Sequence, residues 1–89
     1  MVRLEYSWRF ADDLASVTSE EVEAHVMRCL DALESFPEIG SPLVPDRIER
    51  EFGPGVRKIV VAPFDLVYTY RLGADVVQVE ALVPQRAAW

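Results

Sequence analysis

Apolar and polar residues alternate strictly over residues 2–8. The apolar members of this run are Val2, Leu4, Tyr6 and Trp8. A period of two over seven residues predicts a half-buried β-strand. The spacing then changes, because Phe10, Leu14 and Val17 follow an i, i+4, i+7 pattern. This pattern is typical of one face of a helix, so a short helix is predicted within residues 9–17.

A second helix is predicted over residues 19–35. Thr18 and Glu21 have the spacing of a capping box, with Thr18 at the N-cap and Glu21 at the third helical position. Further acidic residues in the first turn suit the positive end of the helix dipole. One apolar stripe follows, formed by Val22, Val26, Cys29, Leu30 and Leu33. Pro37 sets the end of the helix, because the residue before a proline avoids helical geometry.

The C-terminal half of the chain returns to the period of a sheet. Residues 37–46 hold three of the six prolines and are predicted to form a loop. Residues 47–52 are interpreted as a weak strand, and residues 53–55 (Gly-Pro-Gly) as a turn. Three strong strands are predicted at residues 56–62, 64–71 and 76–83, the last two joined by a hairpin connection at residues 73–75.

The predicted order of elements, β-α-α-β-β-β, indicates one α+β domain over residues 1–89. Consecutive hairpins favour a twisted antiparallel sheet, and the two N-terminal helices are expected to pack on one of its faces. In the last strand, alternation predicts one shared face for four apolar residues. These are Val77, Val79, Ala81 and Val83.

Charge is distributed unevenly along the chain. The formal net charge is −6 over 89 residues, of which 51% are apolar. Residues 1–52 carry five arginines and twelve acidic residues, whereas residues 53–89 carry four basic and three acidic residues. The net acidity argues against a charge-driven, non-specific nucleic-acid binder and against a basic membrane-surface protein. The mildly basic C-terminal half still offers a few arginines to a phosphate.

Other sequence features favour a cytoplasmic protein without a cofactor or a metal. The single cysteine, Cys29, cannot form an internal disulfide, and no apolar run has the length of a signal sequence or a membrane span. His25 lies four residues before Cys29, on the same helical face. Two half-buried side chains on a core-facing helix explain this pair better than a metal site or a nucleophile with its base.

Three segments of the chain resemble the RelE/ParE superfamily of bacterial toxins. Residues 33–42 (Leu-Glu-Ser-Phe-Pro-Glu-Ile-Gly-Ser-Pro) are similar to the link after the second helix of the family. Residues 55–68 are similar to its pair of strands with an arginine in the first, and residues 76–86 to its closing strand and arginine. The resemblance implies two helices against a twisted sheet. It also implies a toxin of a type II toxin–antitoxin module, with a cognate antitoxin as partner.

The superfamily divides in its targets, and its RelE-like members act on mRNA in the ribosome without a metal. In such a reaction the 2′-hydroxyl attacks its own phosphate, while cations stabilise the charge that develops on the phosphate. Arg57 matches the strand arginine of the family and Arg86 the C-terminal arginine, with Lys58 and Tyr68 as further candidates. Alternation places Lys58 on the face opposite Arg57. Tyr70 is a nearby alternative.

Two departures from the family pattern keep other functions open. Asp65 stands where many members have an arginine, and the chain ends at Trp89 without the C-terminal tyrosine of the ribonuclease members. ParE-like members bind DNA gyrase and need no catalytic residues of their own. An inactive interaction module and a homodimer are further alternatives. Arg57 and Tyr68 also have ordinary explanations, as a strand charge and a core aromatic with a satisfied hydroxyl.

Overall fold

The computed structural model describes residues 1–88, which form four strands and four α-helices. The elements are β1 (Arg3–Tyr6), α1 (Trp8–Ala15), α2 (Glu20–Ser35), α3 (Asp46–Phe52), β2 (Val56–Val61), β3 (Phe64–Arg71), β4 (Val76–Pro84) and α4 (Gln85–Ala88). A short 3₁₀ turn, Leu72–Ala74, connects β3 to β4. The strand order in the sheet is β1-β4-β3-β2. The predicted α+β class is therefore confirmed, with two helices in addition to the two expected.

The sheet is mixed, whereas the sequence predicted an antiparallel one. β2 pairs with β3 and β3 with β4 in antiparallel register, as consecutive hairpins require. β1 instead lies parallel to β4, with Arg3 opposite Val76 and Tyr6 opposite Val79. A parallel pair needs a long crossover, and here everything from α1 to β3 supplies it. The antiparallel prediction rested on consecutive hairpins and does not apply to β1, because no short turn joins β1 to its neighbour β4.

The first helix begins earlier than its apolar spacing predicted. Ser7 is the N-cap of α1, and its hydroxyl accepts a hydrogen bond of 2.9 Å from the amide of Phe10. Trp8 is therefore the first helical residue rather than the end of the strand, and its side chain is exposed. A side-chain cap satisfies one of the free amides of the first turn, which fixes the start of the helix.

The cap of α2 lies one residue later than predicted. The hydroxyl of Ser19, not of Thr18, accepts a hydrogen bond of 3.2 Å from the amide of Val22. Serine and threonine are similar as N-caps, so two adjacent hydroxyl residues leave the sequence signal ambiguous by one position. The acidic first turn and the end near Pro37 agree with the prediction.

The predicted strand at residues 47–52 is wrong, because this segment forms helix α3. Ile48 and Phe52 are four residues apart and so share one helical face, although they also fit alternation. Both pack on the face of the sheet that α1 and α2 do not cover, where Ile48 is buried. Its buried neighbours are Val56, Val67, Ala81 and Val83. The sheet is therefore covered on both sides.

The larger core lies between the sheet and the first two helices, as the sequence predicted. Phe10 of α1 and Leu33 of α2 are buried in it, against Leu66 of the sheet. The remaining buried members of this cluster are Val2, Val26, Cys29, Leu30, Val61, Tyr68, Val77, Val79 and Leu82. Burial of a leucine or phenylalanine of this kind contributes about 1.5–3 kcal/mol per side chain.

A β-bulge in β4 divides the apolar residues that were predicted to share one face. Val67 lies opposite Ala81, whereas Tyr68, the next residue of β3, lies opposite Val79. The intervening Glu80 is therefore the extra residue, and alternation reverses at this point. Residues 77 and 79 face α1 and α2, while Ala81 and Val83 pack with α3. The single-face prediction is wrong for this reason.

Candidate functional site

The loop after α2 is attached to the sheet by a buried tyrosine. Tyr68 has no exposed surface, and its hydroxyl donates to the carbonyl of Pro37 at 2.9 Å and accepts from the amide of Gly40 at 2.8 Å. Ser41 extends the attachment through two backbone hydrogen bonds with Lys58 of β2, at 2.8 and 3.0 Å. The loop thus runs beside β2 as a short additional bridge.

Arg57 binds the same loop. It lies directly opposite Tyr68 in the β2–β3 pair. Its Nη1 donates to the carbonyl of Gly40 at 2.7 Å and to that of Glu38 at 3.2 Å. A guanidinium has several N–H donors in a fixed plane, so these two bonds leave others available to an external acceptor.

The hydroxyl of Tyr68 stabilises the folded protein. Replacing Tyr68 by Phe removes both hydrogen bonds to the loop and should lower the free energy of unfolding by about 1–3 kcal/mol near pH 8. Tyr6→Phe is the matched control, because the ring of Tyr6 is 53% exposed. Urea unfolding of the three proteins checks this prediction, and equal losses in the two variants would contradict it.

The wild type and Tyr68→Phe should also differ in how their stability depends on pH. Burial raises the pKa of Tyr68 above its ordinary value of 10.0, against smaller opposing effects of the Gly40 amide and the Arg57 charge. An acid whose pKa is higher in the folded than in the unfolded protein stabilises the fold. This contribution is complete below the unfolded pKa and is lost as the pH rises through the folded pKa. The wild type should therefore lose stability above about pH 10 faster than Tyr68→Phe. The difference in free energy of unfolding between the two proteins should become smaller. Unfolding curves at pH 8 and pH 10.5 measure it.

Lys58 lies on the other face of the sheet, as alternation predicts. Its Nζ is 3.8 Å from Oδ1 of Asp65, which is itself fully buried. Gln85, the first residue of α4, donates from Nε2 to the same carboxylate oxygen at 3.2 Å. A buried carboxylate is tolerated only with such partners. Asp65, on β3, thus links Lys58 of the edge strand β2 to Gln85 of α4.

Arg86 is exposed on α4, and this short helix is held to the body of the protein by two hydrogen bonds to its backbone. The amide of Gln85 donates to the carbonyl of Pro63 at 2.9 Å. Arg47 of α3 donates from Nη1 to the carbonyl of Ala87, also at 2.9 Å. Arg86 is therefore placed beside the face that carries α3. Trp89, considered as an exposed contact, lies outside the described residues.

The four candidate residues fall into two groups on opposite faces of the sheet. Arg57 and Tyr68 bind the loop at residues 37–41, whereas Lys58 and Arg86 lie on the side of Asp65 and α4. Sequence reasoning missed the carbonyl partners of Arg57 and the role of Gln85, since neither has a local signal.

Three further features bear on candidate chemistry: the thiol of Cys29, metal-ligating clusters and membrane spans. Cys29 is buried in the main core, and burial raises the pKa of its thiol. Among the described residues there is no cluster of His, Cys, Asp and Glu able to hold a metal ion. In the same part of the chain, no helix is long and apolar enough to cross a membrane.

The backbone geometry identifies the fold by comparison with solved structures. No sequence-family model and no curated protein sequence matches the chain. A chain of the intact E. coli RelBE toxin–antitoxin complex superimposes with a TM-score of 0.71, covering 94% of this chain and 96% of that one. The chain has a RelE-like fold. The isolated E. coli RelE toxin gives a TM-score of 0.72, covering 94% of this chain and 84% of its own, and both are 17% identical in sequence.

The RelE-like fold confirms the sequence resemblance at the level of architecture. The two N-terminal helices, the four-stranded sheet and the link after α2 occupy the places that the resemblance implied. At 17% identity most side chains differ from those of RelE, and the likeness concerns the fold alone.

Proposed function

We propose that this chain is the toxin of a type II toxin–antitoxin module, acting in the bacterial cytoplasm and held inactive by a cognate antitoxin. The observation that supports the proposal is the similarity of nearly the whole backbone to RelE, both as an isolated toxin and in the RelBE complex. A fold alone does not define an activity, because function resides in the residues placed on it. The mode of action therefore depends on the two groups described above.

In the first mode, the toxin cleaves mRNA in the ribosome. Arg86 is exposed and can reach a phosphate directly. Arg57 would bind the scissile phosphate through the donors not used by the loop carbonyls, and Tyr68 would hold that loop in place. In this mode Arg57 would stabilise the charge on the scissile phosphate, an electrostatic effect typically worth about a hundredfold or more in rate for each donor. Arg86, which lies with the group on the opposite face, would hold a neighbouring phosphate of the RNA. Lys58 would act from the opposite face, where its ammonium lies 3.8 Å from the Asp65 carboxylate.

In the second mode, the toxin acts by binding alone, on DNA gyrase or only on its own partner. The separation of the candidate residues onto two faces favours this mode. Binding needs a complementary surface with a few buried anchors, not a convergent set of cations. Arg57, Lys58 and Tyr68 then serve the fold through the hydrogen bonds and ion pair that they already make.

Single arginine variants separate the two modes. Each chain is induced alone in bacterial cells, and growth is scored together with mRNA cleavage at ribosomal A sites. If the toxin is a ribonuclease, Arg86→Ala and Arg57→Ala should each reduce cleavage about a hundredfold or more and restore growth. Arg71→Ala is the matched control, since Arg71 is an exposed arginine at the end of β3, and it should behave as the wild type.

The other outcomes are equally informative. Growth arrest by both variants without mRNA cleavage would exclude the ribonuclease mode and leave binding. No growth arrest by the wild type would overturn the toxin proposal. Arg57→Ala also loses two hydrogen bonds to the loop, so thermal unfolding by circular dichroism must show that it folds, and Arg57→Lys separates the charge from the geometry.

A further inference from the structure

An open apolar groove lies between the end of β1, α1 and α2, away from the candidate residues of the proposed site. Its lining residues are Tyr6, Phe10, Ala11, Leu14, Met27 and Leu30, and its volume is about 420 Å³. Tyr6 is 53% exposed and Met27 47% exposed, although both are large and apolar. Contiguous apolar surface of this kind usually marks a site of interaction with another molecule.

The floor of the groove is rigid and its rim is adaptable. The rings of Tyr6 and Phe10 are stacked, with centroids 5.8 Å apart and planes inclined by 24°. Phe10 and Leu30 are also buried members of the main core, so the floor cannot move without the core. Met27 on the rim is unbranched and can adjust to the shape of an occupant. A preformed floor lowers the entropy cost of binding.

The charges next to the groove are acidic. Glu34 and Asp31 of α2 are close enough to Tyr6 for their negative charges to add to burial in raising the pKa of that tyrosine. Glu23 lies four residues before Met27 on the same side of the helix. The rim along α2 therefore carries carboxylates at both ends of the apolar surface.

The arginines of these helices face other parts of the molecule. Arg9 forms an ion pair with Glu51 and lies over the ring of Phe52, with its guanidinium carbon 5.3 Å from the ring centroid. Arg28 lines a separate cleft with His25. The carboxylates beside the groove are thus not neutralised by either arginine, and they favour a positively charged occupant.

A second copy of this chain does not suit the groove. A twofold dimer brings the same patch of both subunits together, so it would oppose two acidic rims. The C-terminal helix α4 does not suit it either, since Arg47 holds this helix against α3 on the other face. The remaining occupant is a segment of a different protein with apolar and basic side chains.

We propose that the groove binds an amphipathic segment of a partner protein, whose apolar row enters the groove while its Lys or Arg side chains face Asp31 and Glu34. Helices commonly bind apolar grooves in this way, through side chains at i, i+3 and i+4. The antitoxin is the partner that this mode of binding requires, and that identification rests on the proposed function. The apolar and basic character of the segment is inferred from the groove alone.

Designed peptides test the chemistry of the segment. Two labelled helical peptides carry the same row of leucines, one flanked by lysines and the other by glutamates, and their binding to the purified protein is measured by fluorescence anisotropy. The lysine peptide should bind at least about tenfold more tightly, and Asp31→Asn with Glu34→Gln should reduce this preference. Equal affinities, or no binding of either peptide, would overturn the proposal.

Substitutions on the rim locate the binding site. Met27→Lys should weaken binding of the lysine peptide about tenfold or more, because it places a charge in the apolar row and repels the flanking lysines. Leu43→Lys is the matched control, since Leu43 is 79% exposed and lies outside the groove. Unchanged binding by Met27→Lys would overturn the proposal. So would a wild-type dimer in sedimentation velocity that this substitution dissociates.

A separate experiment tests whether the antitoxin is the occupant. The tagged chain is co-expressed with the protein encoded by the adjacent open reading frame, and the recovered partner is quantified. Met27→Lys should reduce recovery about tenfold and Leu43→Lys should not. Equal recovery would overturn the antitoxin as the occupant. Failure of the wild-type chain to arrest growth would overturn the proposed function instead, whereas the peptide titration would still decide what the groove binds.

Discussion

Replacing Gly40 by Ala should lower the free energy of unfolding by about 3 kcal/mol, because the loop after α2 has no room for a methyl group. A Cβ at this position would lie 2.6 Å from Cε1 and from Oη of Tyr68, and 2.9 Å from the carbonyl oxygen of Lys58. The contact atom of Lys58 belongs to the backbone, and the side chain of Tyr68 is fully buried. Neither can therefore move aside at a small cost in free energy. The loop would have to move away, with loss of the hydrogen bonds from Tyr68 and Arg57.

Gly73→Ala is the matched control for this substitution, because a Cβ there meets nothing within 4 Å. For a chain of this length, 3 kcal/mol corresponds to a fall in Tm of roughly 12 °C or more. Thermal unfolding of the wild type and both variants provides the measurement. If Gly40→Ala and Gly73→Ala melt within a degree or two of each other, the attachment of the loop by Tyr68 is not a source of stability.

Replacing Asp65 by Ala should destabilise the protein by about 3 kcal/mol or more, in the range expected when one partner of a buried ion pair is removed. The substitution removes the carboxylate that lies 3.8 Å from the Lys58 ammonium, whose side chain is only 13% exposed. It also removes the acceptor of Gln85 and so loosens α4. Urea unfolding measures the loss. Limited proteolysis should cleave the variant faster near Gln85.

Two further variants give this prediction its controls. Asp12→Ala removes an exposed carboxylate from α1 and should change stability by less than about 0.5 kcal/mol. The double variant Asp65→Leu with Lys58→Met replaces the buried pair by apolar side chains and should recover most of the lost stability. A double variant as unstable as Asp65→Ala would show that the stability at this position does not come from pairing the two charges.

Strands and helices were predictable from the sequence where one period was clear and its boundaries were marked. Residues 64–71 form a run rich in aromatic and β-branched residues between Pro63 and the turn at Gly73, and both ends of β3 were predicted correctly. The segment 47–52 is too short to distinguish its two periods, since Ile48 and Phe52 fit both. The tertiary requirement to cover the second face of the sheet selects the helix.

The candidate site was predictable only in its local geometry. Adjacent residues of a regular strand point to opposite faces, so the separation of Arg57 and Lys58 followed from the sequence. The bulge at Glu80 and the bonds from Arg57 to the carbonyl of Gly40 depend on contacts between distant segments. Hydrogen bonds to backbone carbonyls leave no pattern in the sequence, because every residue has one. Their formation is decided by packing.

The place of β4 in the sheet has a consequence for how a newly made chain acquires its structure. β4 hydrogen-bonds to β1 on one side and to β3 on the other, yet Val76–Pro84 is the last of these four strands to be synthesised. A nascent chain that has reached only residue 75 can form the β2–β3 hairpin, but β1 then has no strand neighbour. Folding must therefore follow synthesis of β4, with slow closure between distant segments. Until that moment, a newly made chain lacks the assembled surface through which the proposed toxin would act.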